Sequence, residues 1–311
     1  MEKYVDNVYI INMEKDTERL NNMIKKCKKL DINFEKMTGI DINKLSKKEK
    51  NENINNIFQL YATKSAIGCS LTHKKIYKDI INKKYKNALI LEDDIYFTDD
   101  FYKVLENVYN DVPKDYDIIF LGCGGLCNDK TYNDINIFLK IFTIFNKKKE
   151  INKEHIFIPE FPLTTHGYII SYNGCHKILK NYKKINIPID GFIAFNVNKY
   201  NIYASKTKII YQDMKINSNN TVIYPKILNK YLNNIYDNNN ISYKFIFNIP
   251  LFKIYNYNIS ILIFLLLIIS FIIGLYKNCY LLFILVIYLI IDFHKFYFLL
   301  LISFNLIGYF L

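Results

Sequence analysis

Apolar residues in this chain come in short continuous runs, separated by stretches in which they recur every three or four positions. That alternation is expected of strands covered on both faces and of helices packed across them. Val8-Tyr9-Ile10-Ile11 predicts a buried strand within the first dozen residues. Leu20, Met23, Ile24, Cys27 and Leu30 then follow at helical spacing, with Asp16 or Thr17 placed to cap the start. A short strand around 32–37 completes a βαβ opening. Residues 43–57 are rich in Asn and Lys without periodicity and read as a loop or surface insertion. A stronger helix runs from about Ser65 to Lys83, with Cys69, His73, Ile76 and Ile80 on one face. Ala88-Leu89-Ile90-Leu91 predicts a central strand, and it ends in three acids. Asp99 is placed to cap a helix carrying Phe101, Val104, Leu105 and Val108, and Tyr116 to Leu121 predicts another buried strand ending at Gly122. Residues 126–160 read as a variable loop, a flap or an acceptor-side insertion. A strand at Gly167–Ile170, a helix at about Asn173–Tyr182 and a strand-like stretch at Ile202–Tyr211 continue the alternation. The pattern is that of an α/β domain.

The last third differs. Ile259 to Tyr276 holds no charged residue, and as a helix it would span about 27 Å, close to the ~30 Å hydrocarbon core. Tyr280–Ile291 and Phe296–Leu311 are also apolar, separated by Asp292, His294 and Lys295. The expectation is a catalytic domain at 1–225, a linker at 226–256 and a transmembrane tail at 257–311 with one to three crossings. A strand so near the start leaves no room for a signal peptide. Lys244 and Lys253 beside the tail agree with a positive-inside orientation, so the expected location is membrane-associated, with the catalytic domain cytosolic.

Composition changes the picture at a few points only. The chain is heavy in Asn, Lys, Ile and Tyr and has no Trp, a skew that makes most Lys and Asn uninformative and the exceptions informative. Of 41 basic residues, only Arg19 is arginine: either its planar guanidinium has a specific phosphate or carboxylate partner, or it is a helix-surface residue. The net charge of +12 is scattered among acids and Asn with no basic stripe, which argues against nucleic acid and fits an anionic nucleotide or membrane surface. Six cysteines without CxxC pairs favour a reducing compartment, with Cys123 and Cys127 read as turn and core residues.

The chemistry centres on Glu92-Asp93-Asp94. Open α/β sheets bind ligands at the carboxyl ends of their strands, and adjacent carboxylates repel one another unless a hard divalent cation such as Mg²⁺ or Mn²⁺ relieves them. Asp190, held by Pro188, is the candidate general base or else a helix cap. His73 either contacts donor phosphate or acceptor, or is a satisfied core residue. Asn12 and Arg19 flank the first strand-to-helix turn, where phosphate is favoured. Gly68 serves either close backbone approach or tight packing, and Ser70 lies beside His73 on the helix surface. His166 and Gln212 are weaker candidates.

The blocks Val8-Tyr9-Ile10-Ile11-Asn12 with Arg19, Gly68-Cys69-Ser70-Leu71-Thr72-His73, Leu89-Ile90-Leu91-Glu92-Asp93-Asp94 and Asp117-Ile118-Ile119-Phe120-Leu121-Gly122 stand in order along the chain. Gly167-Tyr168-Ile169-Ile170-Ser171 with Gly174 and Leu179, and Pro188-Ile189-Asp190, continue the series. Together they resemble glycosyltransferase family 25, which includes lipopolysaccharide-modifying and collagen galactosyl- or glucosyltransferases. The resemblance implies a GT-A type (Rossmann-like) nucleotide-sugar-binding domain. It also implies a UDP-sugar donor, Mn²⁺ or Mg²⁺, and inverting transfer of galactose or glucose to a hydroxyl on a glycan, lipid-linked sugar or protein. On that analogy Asp94 is a direct metal ligand, Glu92 a second ligand or its neighbour, and Asp93 a ribose contact. Two other classes fit the same residues: an inactive membrane-anchored scaffold and a metal-dependent phosphohydrolase.

Overall fold

The computed structural model describes residues 1–62, 64–127, 151–213, 250–254, 257–276 and 295–310. The chain divides into two compact units, Met1–Phe58 with Lys64–Asn219, and Gln59–Thr63 with Asn220–Leu311.

The first unit is a mixed α/β layer built on a seven-stranded sheet. Its strands are β1 (Asn7–Asn12), β2 (Glu35–Thr38), β3 (Asn87–Glu92), β5 (Ile118–Leu126), β6 (Ile156–Phe157), β7 (Phe161–Ser171) and β8 (Ile202–Ser205). They lie in the order β2-β1-β3-β7-β5-β8-β6. β1 pairs in parallel with β2 and β3, while β7 runs antiparallel to both β3 and β5. The continuous apolar runs occupy the middle: Ala88 through Leu91 are wholly buried, as a strand covered on both faces must be. Helices α1 (Thr17–Lys29), α4 (Lys64–Lys83), α5 (Phe101–Asp111) and α6 (Tyr172–Asn181) follow the predicted periodicity. Met23 and Cys27 of α1, and Ile76 and Ile80 of α4, are buried, whereas Ile24 is 43% exposed.

Five local expectations change. The stretch expected as a loop at 43–57 carries α2 (Lys47–Asn53) and the start of α3 (Asn56–Tyr61). α2 buries nothing, so it has no apolar stripe; its start is fixed by a capping box between Ser46 and Glu49. The helix expected to be capped by Asp99 starts one residue after Asp100, and Asp100 makes no side-chain cap bond. β5 runs past Gly122 to Leu126 with register shifts on either side of Gly122, and β7 begins six residues before Gly167. The strand-like stretch at 202–211 splits into β8 and β9 (Ile210–Gln212), and β9 pairs instead with β4 (Ile95–Phe97), directly after the acids.

Cys123 and Cys127 are both buried, as core residues are, and are joined to each other by a disulfide. Such bonds belong to oxidising compartments, which removes the cysteine argument for a reducing one.

The transmembrane tail is not supported: among the described residues no helix is long and apolar enough to cross a membrane. Part of the apolar run pairs as a strand, since Tyr257–Ser260 (β11) lies antiparallel to Pro250–Ile254 (β10). Among the described residues of the tail, the helices are α8 (Ile261–Leu275), about 22 Å long, and α9 (Lys295–Phe310), about 24 Å. Both fall short of a ~30 Å core. They pack closely within the second unit, where a Cβ on Gly274 would stand 2.1 Å from the Asn305 carbonyl oxygen and one on Gly308 2.2 Å from that of Phe271. Asn305 Nδ2 donates to the Ser270 carbonyl oxygen at 2.9 Å. The apolar stretch at 280–291 and most of the expected linker lie outside the described residues.

Candidate active site

The site forms where β3 ends and the chain turns into β4. Three consecutive acids meet three different environments there.

Asp93 is turned toward β1 and α1. Its Oδ1 accepts from Arg19 Nη1 at 2.8 Å and its Oδ2 from Asn12 Nδ2 at 2.7 Å. Asn12 also donates to the Asp16 carbonyl oxygen at 2.9 Å. Burial raises the Asp93 pKa, and Asn12 and Arg19 pull it back. The lone arginine therefore has a carboxylate partner, in a pair whose side chains are only 15% and 8% exposed. Both Asp93 oxygens are engaged within the protein, which counts against Asp93 as a ribose contact and Arg19 as a free phosphate clamp.

Asp94 faces the other way. Its Oδ2 accepts from Gln212 Nε2 at 3.1 Å, and its backbone carbonyl accepts from the Asp213 N–H at 2.6 Å. Its Oδ1 is buried with no hydrogen-bond partner. Burial raises the pKa of Asp94 and Gln212 lowers it. Gln212 reaches this place because Ile95 pairs with it across β4 and β9.

Glu92 accepts a long bond from Thr165 Oγ1, 3.4 Å to its Oε1. Burial, then the charges of Asp94, Asp93 and Asp190, push its carboxyl up to about 8. Its carboxylate lies with the Cys69 thiol and the His73 imidazole, ligand-capable atoms all within 4.8 Å of one another.

Opposite these acids β7 is distorted. Thr164, a β-branched residue, has φ of 67°, a conformation that costs on the order of 1–3 kcal/mol and persists only where its surroundings hold it. Next to it, Thr165 Oγ1 reaches Glu92. Thr164 Oγ1 also meets His166 Nδ1 at 2.9 Å, and burial lowers the His166 pKa to about 4.

Asp190 is not a helix cap. The cap position of α7 (Ile189–Phe195) is Pro188, and Asp190 lies in the first turn, its Oδ1 accepting the Gly191 N–H at 2.7 Å. Burial raises its pKa, and backbone donors from Gly191 and Thr164 lower it. Glu92 and Cys69 both feel its charge, so it belongs to the same site.

The α4 residues divide. Gly68 is a packing glycine in the second turn, not a helix start facing phosphate: a Cβ there would lie 2.4 Å from the Ile40 carbonyl oxygen. Ser70 is fully buried; it donates to the Ala66 carbonyl oxygen at 2.8 Å and accepts the Ile189 N–H at 3.0 Å. It ties α4 to the first residue of the helix that carries Asp190, so it is an internal link and not a surface residue. His73 is fully buried and held neutral, burial taking its pKa down to about 3. Its Nδ1 meets Tyr168 Oη at 2.7 Å, and Nε2 has no hydrogen-bond partner.

The fit of these residues to a divalent cation can be judged on Asp94. A buried carboxylate oxygen without a donor, beside a second carboxylate, is a donor set of the kind that Mg²⁺ or Mn²⁺ takes together with substrate phosphates.

Comparison with known proteins agrees with the blocks quoted above. A family model described as Glycosyltransferase family 25 (LPS biosynthesis protein) matches residues 5–193. Procollagen galactosyltransferase 1 of Danio rerio is 23% identical over 71% of this chain and 36% of its own length. A glycosyltransferase 25 family member of Aedes aegypti is 26% identical over 63% of this chain and 32% of its own. Procollagen galactosyltransferase 2 of Homo sapiens is 23% identical over 71% and 35%. The chain thus spans about a third of the length of the curated relatives it matches. Among solved structures, apo mouse xyloside xylosyltransferase 1 matches at 10% identity and a TM-score of 0.32, covering 62% of this chain and 68% of that one, a likeness too low to carry an argument.

Proposed function

Because the chain belongs to glycosyltransferase family 25, matched over more than half its length, we propose that it transfers a hexose from a UDP-sugar to a hydroxyl acceptor. The domain would be of GT-A type and the transfer inverting. The observation that carries this reading is the buried, unpartnered Oδ1 of Asp94 at the carboxyl end of β3, beside Glu92. Asp94 would hold the divalent cation, with Glu92 as second ligand or neighbour. When bound, that cation supplies charge to offset what builds on the leaving nucleotide diphosphate.

Asp190 is the general base of this proposal. It would accept the proton of the acceptor hydroxyl as that oxygen bonds to the anomeric carbon. A base works best with a pKa near the operating pH, and burial raises this carboxyl in that direction. The Gly191 N–H fixes its orientation, and Ser70 holds the preceding residue against α4. Asn12 and Arg19 serve here as the support that keeps Asp93, and with it the β3-to-β4 turn, in place.

Galactose is favoured as the sugar by the procollagen galactosyltransferases among the relatives. Purified protein incubated with a panel of UDP-sugars and Mn²⁺ tests the reading. Sugar transfer that vanishes in Asp94→Asn supports it. Release of inorganic phosphate from phosphate esters without sugar transfer would replace it with a phosphohydrolase, and absence of donor binding with metal present would leave a scaffold.

A further inference from the structure

The Cys69, His73 and Glu92 cluster is more than one wall of a donor site. We propose that these three side chains form a second cation site, selective for a borderline-soft divalent ion of the zinc class.

The geometry begins with one turn of α4. Cys69 and His73 are four residues apart and so project from the same face, toward the end of β3 where Glu92 stands. The thiol sulfur, an imidazole nitrogen and a carboxylate oxygen lie within 4.8 Å of one another. Around a tetrahedral zinc ion with bonds of about 2.0–2.3 Å the same atoms would stand roughly 3.5 Å apart, so rotamer adjustments of about an ångström close the site.

A second, independent observation points to a ligand. His73 is wholly buried, and its Nε2 has no hydrogen-bond partner, while Nδ1 lies 2.7 Å from Tyr168 Oη. Tyr168 Oη in turn lies 2.6 Å from Tyr77 Oη, and both tyrosines are fully buried. This chain suits the tautomer in which Nδ1–H donates to Tyr168, leaving the Nε2 lone pair with nothing to accept from. Ligating histidines are held in this way, with the remote ring N–H tied to a fixed acceptor. An unmet lone pair at a wholly buried position costs free energy unless something binds there.

Donor chemistry separates this site from the one at Asp94. Thiolate, imidazole and a single carboxylate suit zinc, whereas oxygen ligands with phosphate suit Mg²⁺ and Mn²⁺. Three protein ligands leave a fourth position open. Cys69 is partly exposed and not in a disulfide, so the site has an entrance. An ion held here would neutralise Glu92, leaving Asp94 to the donor's cation.

Cobalt(II) replacing zinc in the full chain provides the test. Wild-type protein is expected to bind close to one equivalent of zinc with Mn²⁺ present. With cobalt it should show a near-ultraviolet thiolate-to-metal charge-transfer band that zinc displaces. Cys69→Ser and His73→Ala should lose the band, and Asp94→Asn should keep it. Tyr168→Phe should keep the ligands but weaken metal affinity by about 10–100-fold. If His73→Ala does not fold, Cys69→Ser carries the test, since it keeps the size of the side chain. A folded wild type that takes up no zinc or cobalt, or a band that survives Cys69→Ser unchanged, would overturn the proposal. Neither readout needs a sugar donor, so failure here is distinguishable from failure of the transferase reading.

Discussion

Both flanks of the β3 terminus bury carboxylates, but only one of them provides a cation to pair with. On the β1 and α1 flank, Asp93 meets Arg19 and Asn12, and both of its oxygens are bonded. On the flank toward β7, α4 and α7, burial raises Glu92, Asp94 and Asp190 as it raises Asp93, but among the described residues no ion pair offsets them. Matched charge on one side makes a support; unmatched charge on the other stores an unfavourable energy that a bound cation can release. The difference teaches which acid to assign to which task, since adjacency in sequence does not.

The largest expected effect comes from the unmatched flank. Asp94→Asn keeps the size and the Gln212 contact while removing the charge, and should lower sugar transfer on the order of 10³-fold with the melting temperature kept or raised. Equal activity in steady-state assays would erase the distinction between the flanks. On the matched flank the loss should fall on stability. Arg19→Ala leaves Asp93 buried and unpaired and should cost about 3–5 kcal/mol in chemical denaturation. Arg19→Met with Asp93→Leu should recover much of that, because apolar replacement of a whole buried pair is often neutral.

A smaller effect is expected at Gln212. Gln212→Leu removes one hydrogen bond to a carboxylate and should reduce kcat/KM by about tenfold, roughly the 1.5 kcal/mol such a bond contributes. The last is a pH slope. Glu92 in the folded chain sits near 8 against an ordinary 4.5, so the folded state keeps a proton that the unfolded chain releases. Its contribution is complete below pH 4.5 and is lost as pH rises toward 8. His73 and His166, with lowered values, act in the opposite sense, but only below their ordinary 6.5. Metal-free protein should therefore show a falling melting temperature between pH 6.5 and 8. Glu92→Gln should flatten that slope.

Much of the sheet was legible because burial on both faces leaves a mark that neighbours cannot disguise. Val8 to Ile11 and Ala88 to Leu91 had to be strands, and the acids after Leu91 had to sit at a strand end. Helix α2 was hidden for the converse reason, since it buries nothing and its only signal is the Ser46 and Glu49 cap. The first half of β7 was hidden because Thr164, Thr165 and His166 break the apolar run with polar side chains that bond to each other and to Glu92. What could not be read was the opposite aim of Asp93 and Asp94, which depends on Gln212 arriving 118 residues later through the pairing of β9 with β4. Cys69 was within reach, one helical turn from His73, but a thiol on a face shared with Ile76 and Ile80 looks like packing.

That arrival of β9 depends on clearance. A Cβ on Gly122 would stand 1.9 Å from the Ile210 carbonyl oxygen, and one on Gly167 2.6 Å from the Ile210 side chain. Two missing side chains therefore act as a machined gap into which β9 drops, and the depth of the drop sets where Gln212 stops. In a chain with only ten glycines, these two serve as a gauge. An added methyl at Gly122 would act like a shim, lifting the strand and shifting the amide from Asp94, so a position with no contact to the acids can detune them.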